Sequence, residues 1–189
     1  MSTLGIRLLF PSRMERSPVA AWLIQRMVAV RECMDEGLPE AALTLLYSGI
    51  DALGWLAAPA GTLDASKNTF EDWCSRYLLP KLNAGSENEP TAMDLYASRC
   101  GVLHPSTAES KLEGNTHEVS YRFRGKAAAN PVPNASQAPL FVEIDKLARA
   151  FDEGSRAFVR DLNQDQNRLR IAEERAGRFF SWDKVERAL

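Results

Sequence analysis

Histidine and cysteine are scarce in this chain of 189 residues, with two of the first and three of the second. Cys33, Cys74 and Cys100 are widely spaced and odd in number. With so few histidines beside them, they support neither a disulfide framework nor a zinc site, and buried thiols are the expected state. Long apolar runs are missing too. The stretch Leu4 to Phe10 is broken by Arg7, stops at Pro11 and has no small-residue cleavage site. That excludes a signal-peptide core there and predicts a cytoplasmic protein with no membrane partner. The phosphate-cradling G-x-x-x-x-G-K-[ST] loop, the dinucleotide-binding G-x-G-x-x-G, the G-x-S-x-G elbow and H-E-x-x-H are all absent, so no cofactor is expected. Acids are plentiful, but none makes a recognisable ligand spacing with His104 or His117, so no metal is expected.

A large excess of one charge is also lacking. The net charge is −2, whereas a protein that coats long nucleic acid is usually far more basic. The charge is unevenly spread: residues 1–31 hold five Arg against one acid, residues 32–94 three basic against eleven acidic, and residues 95–189 fifteen against thirteen. A local basic cleft is compatible with that distribution.

What is present is ordinary for a globular protein: 45% apolar and 25% charged residues. The length suits one domain, divided as an extended leader over 1–16, a helical domain over 17–163 and an amphipathic helical extension over 164–189. Val19, Trp22, Leu23, Met27, Val30 and Met34 make one helical stripe that Gly37 stops. Pro39 suits the first turn of a second helix, where Ala42, Leu45, Leu46, Gly49, Ile50, Leu53 and Leu56 make a stronger stripe. The short link predicts an antiparallel helical hairpin. Asp51 lies beside that stripe, in line with Thr44, Tyr47 and Trp55, and an acid so placed needs a partner.

Pro59 to Lys67 reads as a loop, with Thr69 expected to cap a helix from Phe70 to Leu82. A further loop precedes the helical segment Thr91 to Pro105, in which Leu95, Tyr96, Arg99, Val102 and Leu103 recur at three- and four-residue steps. Ser106 to Thr116 is turn-like. Val119, Tyr121 and Phe123 then alternate with polar residues as a strand does, with Leu140 to Ile144 as the expected partner in a small β-hairpin. Asp145 is expected to cap a helix to about Leu162 that buries Leu147, Ala148, Phe151, Phe158 and Leu162. The segment from Asp165 carries Leu169, Ile171, Phe179, Phe180 and Trp182 and reads as a protruding helix or an oligomer contact, its balanced arginines lying on a solvated face.

The chemistry concentrates in R-C-G-V-L-H, Arg99 to His104. Arg99 sits on or beside the face expected to be buried. Pro105 disfavours the α-conformation at His104, so the histidine falls where the chain leaves the helix. Residues five apart on an ideal helix differ by roughly 140°, so the two side chains meet only if the helix end relaxes or if two chains meet.

With an R-x-x-x-x-H motif after an antiparallel pair of long helices and a shorter helical segment, the chain resembles the HEPN domain family over roughly Ser17 to Leu162. The resemblance implies a mainly α, HEPN-like helical bundle, in some relatives with a small β-hairpin after the motif helix. It also implies a metal-independent endoribonuclease whose site forms in a homodimer, with RNA as substrate, in a toxin–antitoxin or phage-defence setting that would bring an antitoxin or other protein partner. In that reading His104 exchanges protons at the ribose 2′-hydroxyl or the departing 5′-oxygen, and Arg99 grips the scissile phosphate. Asp51 corresponds to an acid that many relatives place on the second helix, and Tyr96 neighbours the motif. Catalytic relatives often have Asn, Asp or His after the arginine, whereas Cys100 stands here.

Other readings of the same residues stay open. Arg99 and Asp51 suit an ion pair that ties two helices together. His104 suits a cation at a helix C-terminus. Tyr47, Trp55 and Tyr96 suit core or interface aromatics, and Cys100 a packed thiol. A non-catalytic HEPN-like module that binds RNA, a nucleotide or a partner protein is the alternative function, and a purely structural dimer a third.

Overall fold

The computed structural model describes residues 17–84, 89–103, 119–124, 126–128 and 140–179. The leader, His104, His117, the 106–116 turn and the chain beyond Phe179 lie outside the described residues.

Apolar periodicity and local stop signals make the first two helices. α1 runs Pro18–Asp35 and α2 Pro39–Ala57. Gly37 at φ 71° ends α1: its N–H donates to Met34 O at 3.2 Å and the Leu38 N–H donates to Cys33 O at 2.7 Å. This pair of bonds satisfies carbonyls that a helix end leaves open, and glycine takes the left-handed conformation without a Cβ penalty. Pro39 then starts α2. The predicted hairpin forms, and α2 becomes the central helix, with burial from Leu46 and Tyr47 through Ile50, Leu53 and Leu56 on nearly every face. A helix that is apolar almost all round belongs inside a bundle.

The next segment departs in detail from the expectation. Ser66, not Thr69, is the N-cap of α3 (Lys67–Trp73), and Thr69 completes the capping box from the third helical position. One β-hydroxyl residue caps as well as another, so spacing alone did not separate them. The helix then passes through a π-helical turn, Cys74–Leu78, before α4, Leu79–Leu82. Two glycines let this segment lie directly against its neighbours. A Cβ on Gly54 of α2 would sit 2.5 Å from Thr69 O, and one on Gly154 would sit 2.7 Å from Tyr77 O in the π turn.

α5 spans Ala92–Leu103. At its start the Thr91 N–H and hydroxyl donate to Asp94 Oδ2 at 2.8 and 2.6 Å, and the Asp94 N–H donates to Thr91 Oγ1 at 3.2 Å. Its buried face is Asp94, Leu95, Ala97 and Ser98, while Tyr96, Arg99, Val102 and Leu103 are half-buried, so the helix is rotated from the orientation the apolar spacing predicts. The buried polar groups Asp94 and Ser98 explain the difference, since each is satisfied by partners the sequence pattern does not display.

The expected pairing of the two strands holds, but in parallel. β1 (Val119–Phe123) pairs with β3 (Leu140–Glu143) in the register Val119↔Leu140 and Tyr121↔Val142. The hairpin partner of β1 is β2, Lys126–Ala128, turned through Arg124 at φ 47°, which gives the sheet order β2-β1-β3. An Ala-rich run three residues long carries no β signal in the sequence, so β2 was not expected. β1 buries Val119, Tyr121 and Phe123 as the alternation predicts.

α6 follows β3 directly as Ile144–Gln164, with Glu143 rather than Asp145 at the N-cap and Asp145 in the first turn. Leu147, Phe151, Phe158 and Leu162 are buried as expected, while Ala148 is only partly so. α7, Gln166–Phe179, is capped by Asp165, whose Oδ1 accepts the Asn167 and Arg168 N–H groups at 3.0 Å each. It does not protrude. α7 lies against α1, α2 and α6, with Ala172 and Ala176 buried. Among the described residues no helix is long and apolar enough to cross a membrane.

Candidate functional site

Asp51 of α2 and Arg99 of α5 are joined as an ion pair, with Arg99 Nη2 at 2.6 Å and Nε at 2.8 Å from Asp51 Oδ2. The partner that Asp51 needed is therefore Arg99. The side chains are 20% and 17% exposed, so the pair is shielded but solvent reaches it. Burial works to lower the Arg99 pKa, and the hydrogen bond and charge of Asp51 outweigh it, so the guanidinium is held above its ordinary value. Asp51 thus fixes both the charge and the orientation of the arginine.

The position of Arg99 is set by a closed circuit of side chains. Its guanidinium lies 5.8 Å over the Tyr96 ring, Tyr96 meets Phe70 of α3 edge-on at 5.5 Å, and Phe70 stacks at 6.3 Å on Tyr47 of α2. Tyr47 meets Tyr121 of β1 edge-on at 6.3 Å, and their hydroxyls are hydrogen-bonded. The circuit returns to α5 through Ser98 Oγ, 2.6 Å from the Tyr121 hydroxyl. Each aromatic pair adds about 0.5–1.5 kcal/mol beyond its area. Burial pushes the Tyr121 phenol up to about 12, and it raises Tyr47 well above its ordinary value. Both hydroxyls are therefore neutral donors and acceptors at neutral pH. The alternating strand pattern placed Tyr121 inside the molecule, but nothing in the spacing linked it to Ser98.

Cys100 is half-buried, as is Cys33, and only Cys74 is fully buried, so the expectation of three buried thiols holds for one. Cys100 lies beside Arg99 and Tyr96. It is part of the cluster rather than a core filler. Of the residues singled out in the sequence, the fold brings Arg99, Asp51, Tyr96 and Cys100 together, and His104 lies outside the described residues.

Asp51 also lines a groove of about 470 Å³, together with Ser48, Ala52 and Trp55 of α2, Leu63, Asp64 and Ala65 of the α2–α3 loop, and Arg178 of α7. Its wall is fixed by Arg175 of α7, which is only 6% exposed, contrary to the expected solvated face. Arg175 Nη1 donates to Trp55 O and Ala58 O at 2.7 Å each, and Nη2 to Pro59 O at 2.7 Å and Thr62 O at 3.2 Å. The guanidinium also lies 5.3 Å over the Trp55 ring. A cation at the carbonyl end of α2 complements the helix dipole and closes its open acceptors. Balanced charge along α7 disguised this residue in the sequence, because burial of one arginine depends on which carbonyls the fold brings to it.

Among the described residues no group of three or more His, Cys, Asp and Glu side chains is gathered in a way that would hold a metal ion. In comparisons with known proteins, no family model, no curated protein and no solved structure matches the chain.

Proposed function

We propose that this chain is a HEPN-like, metal-independent endoribonuclease that works as a homodimer, with Arg99 and His104 as its catalytic pair. The observation that carries the reading is the Arg99 guanidinium, charged, oriented by Asp51 from the central helix, and still a fifth exposed. Such a group suits the scissile phosphate: its planar fork binds phosphate oxygens and offsets the charge that develops as the 2′-oxygen attacks. His104, five residues on, is the side chain whose ordinary pKa allows it to take a proton from the 2′-hydroxyl or give one to the leaving 5′-oxygen. The products are a 2′,3′-cyclic phosphate and a free 5′-hydroxyl. Two chains meeting at α5 would put the Arg and His of each into one cleft. A toxin or phage-defence role, with an antitoxin or other protein partner, belongs to this proposal, as do a cytoplasmic setting and an RNA substrate.

Cys100 and the strength of the Asp51–Arg99 pair favour a second reading, a non-catalytic module that holds RNA, a nucleotide or a protein partner in the same cleft. A half-buried ion pair already satisfies Arg99, and a thiol positions substrate poorly by hydrogen bonding. The test is cleavage of labelled RNA in excess chelator by the wild-type chain and by Arg99→Ala and His104→Ala, each with its fold checked by circular dichroism. The nuclease reading expects cleavage that chelator leaves intact and that both substitutions abolish. Unchanged cleavage in either variant rejects it, and RNA binding without cleavage supports the module.

A further inference from the structure

We infer that the groove beside Asp51 is a nucleobase subsite selective for guanine, a specificity that rests on the reading of Arg99 as a phosphate-binding group. Asp51 is the hinge of the argument, because the same residue binds Arg99 at 2.6 Å and lines the groove. A base seated there belongs to a nucleotide whose phosphate lies toward Arg99. At about 470 Å³ the groove falls within the roughly 300–1,000 Å³ of ligand pockets.

Its walls are of two kinds. Leu63 and Ala65 supply exposed apolar surface for the flat face of a base, and Ala52 and Trp55, 8% and 9% exposed, form the buried part of the lining. Trp55 is held in place, its Nε1 donating to Thr62 O at 3.3 Å and Arg175 lying over its ring, so its part of the lining is fixed before a ligand arrives. Leu63 is 81% exposed, an exposure that costs apolar surface in water and that a base in the groove would relieve. The polar edge consists of Ser48, Asp51, Asp64 and Arg178. The Ser48 hydroxyl is held by Arg26 Nη1 at 2.7 Å, and Asp51 by Arg99, which leaves Asp64 and Arg178, of which Asp64 is the carboxylate placed to read base donors.

A carboxylate only accepts hydrogen bonds, so it selects the base edge with the most adjacent donors. Guanine offers N1–H and N2–H₂ side by side, matching the two carboxylate oxygens, whereas adenine and cytosine offer one amino group and uracil one imino group. Single-stranded RNA is commonly read in this manner, by stacking on apolar or aromatic surface and hydrogen bonds to the Watson–Crick edge. Arg178, near the end of α7, adds a cation to the same lining.

The experiment is calorimetric titration of the full chain with 5′-GMP, 5′-AMP, 5′-CMP and 5′-UMP, repeated with Asp64→Asn and Ala65→Trp, both at exposed loop positions. GMP is expected to bind at least about tenfold tighter than the others, since one further hydrogen bond to a charged group is worth that much or more. Asp64→Asn should erase the preference, and Ala65→Trp should weaken all four ligands. Equal affinities, a preference that survives Asp64→Asn, or no saturable binding at millimolar ligand overturns the inference. Guanine preference in a chain that cuts no RNA rejects the nuclease reading and leaves the subsite standing. Cleavage dependent on Arg99 and His104 with no base preference does the reverse.

Discussion

Replacing Arg175 with alanine removes a buried cation from the carbonyl end of α2. Four acceptors lose one donor each: Trp55 O keeps the Ala58 N–H at 3.2 Å, Pro59 O the Thr62 N–H at 3.3 Å and Thr62 O the Trp55 Nε1–H at 3.3 Å, while Ala58 O keeps none among the described residues. Leaving the partly buried Ala58 O open costs about 1 kcal/mol, and each of the three acceptors that keep a second donor loses about 0.5 kcal/mol. The favourable interaction with the helix dipole and with the Trp55 ring adds about 1 kcal/mol. The expected destabilisation is about 3.5 kcal/mol, or a fall in Tm of about 7–14 °C for a chain of this size. Because the guanidinium is shielded, the loss should barely change between low and high salt, unlike that of a surface pair. Urea and thermal unfolding followed by circular dichroism measure it. Arg175→Lys should recover less than half, since one ammonium cannot fork to acceptors on both sides. A loss under about 1 kcal/mol, or full recovery by lysine, refutes the account of Arg175 as the clamp of α7 on α2.

Further outcomes follow from close packing and from the buried phenols. Gly54→Ala places a Cβ 2.5 Å from Thr69 O, and because backbone cannot yield as a side-chain tip does, a loss of about 2–4 kcal/mol is expected in denaturant unfolding. A change below about 0.5 kcal/mol would mean that α3 is free to shift. Tyr121 titrates at about 12 in the fold against an ordinary 10.0 in the unfolded chain, so unfolded molecules release the proton first as pH rises. Stability is therefore full below pH 10 and falls by about 3 kcal/mol as pH climbs to about 12, with Tyr47 adding in the same direction. In Tyr121→Phe this alkaline slope should flatten, and an unchanged slope would show that the phenol titrates freely in the native state.

The sequence by itself determined the two long helices, their hairpin and most of their buried residues, because helical periodicity, Gly37 and Pro39 are local signals that need no partner to be read. It also marked Asp51 as an acid beside an apolar stripe and Arg99 as a charge on a helix that had to pack, two requirements that each other's charge could meet. Which partner each found was a matter of tertiary structure, since Asp51 and Arg99 lie 48 residues apart and only the packing of α5 on α2 brings them within 2.6 Å. The parallel pairing of β1 with β3 was settled in the same way, by where α6 and the sheet pack rather than by strand composition. The rotation of α5 followed Ser98 and Asp94, whose burial is stable only once Tyr121 and Thr91 supply their hydrogen bonds. Arg175 is the clearest case. Nothing distinguishes it from the exposed arginines of α7 until the fold presents four carbonyl oxygens to its guanidinium, and a buried charge is stable only where such acceptors converge.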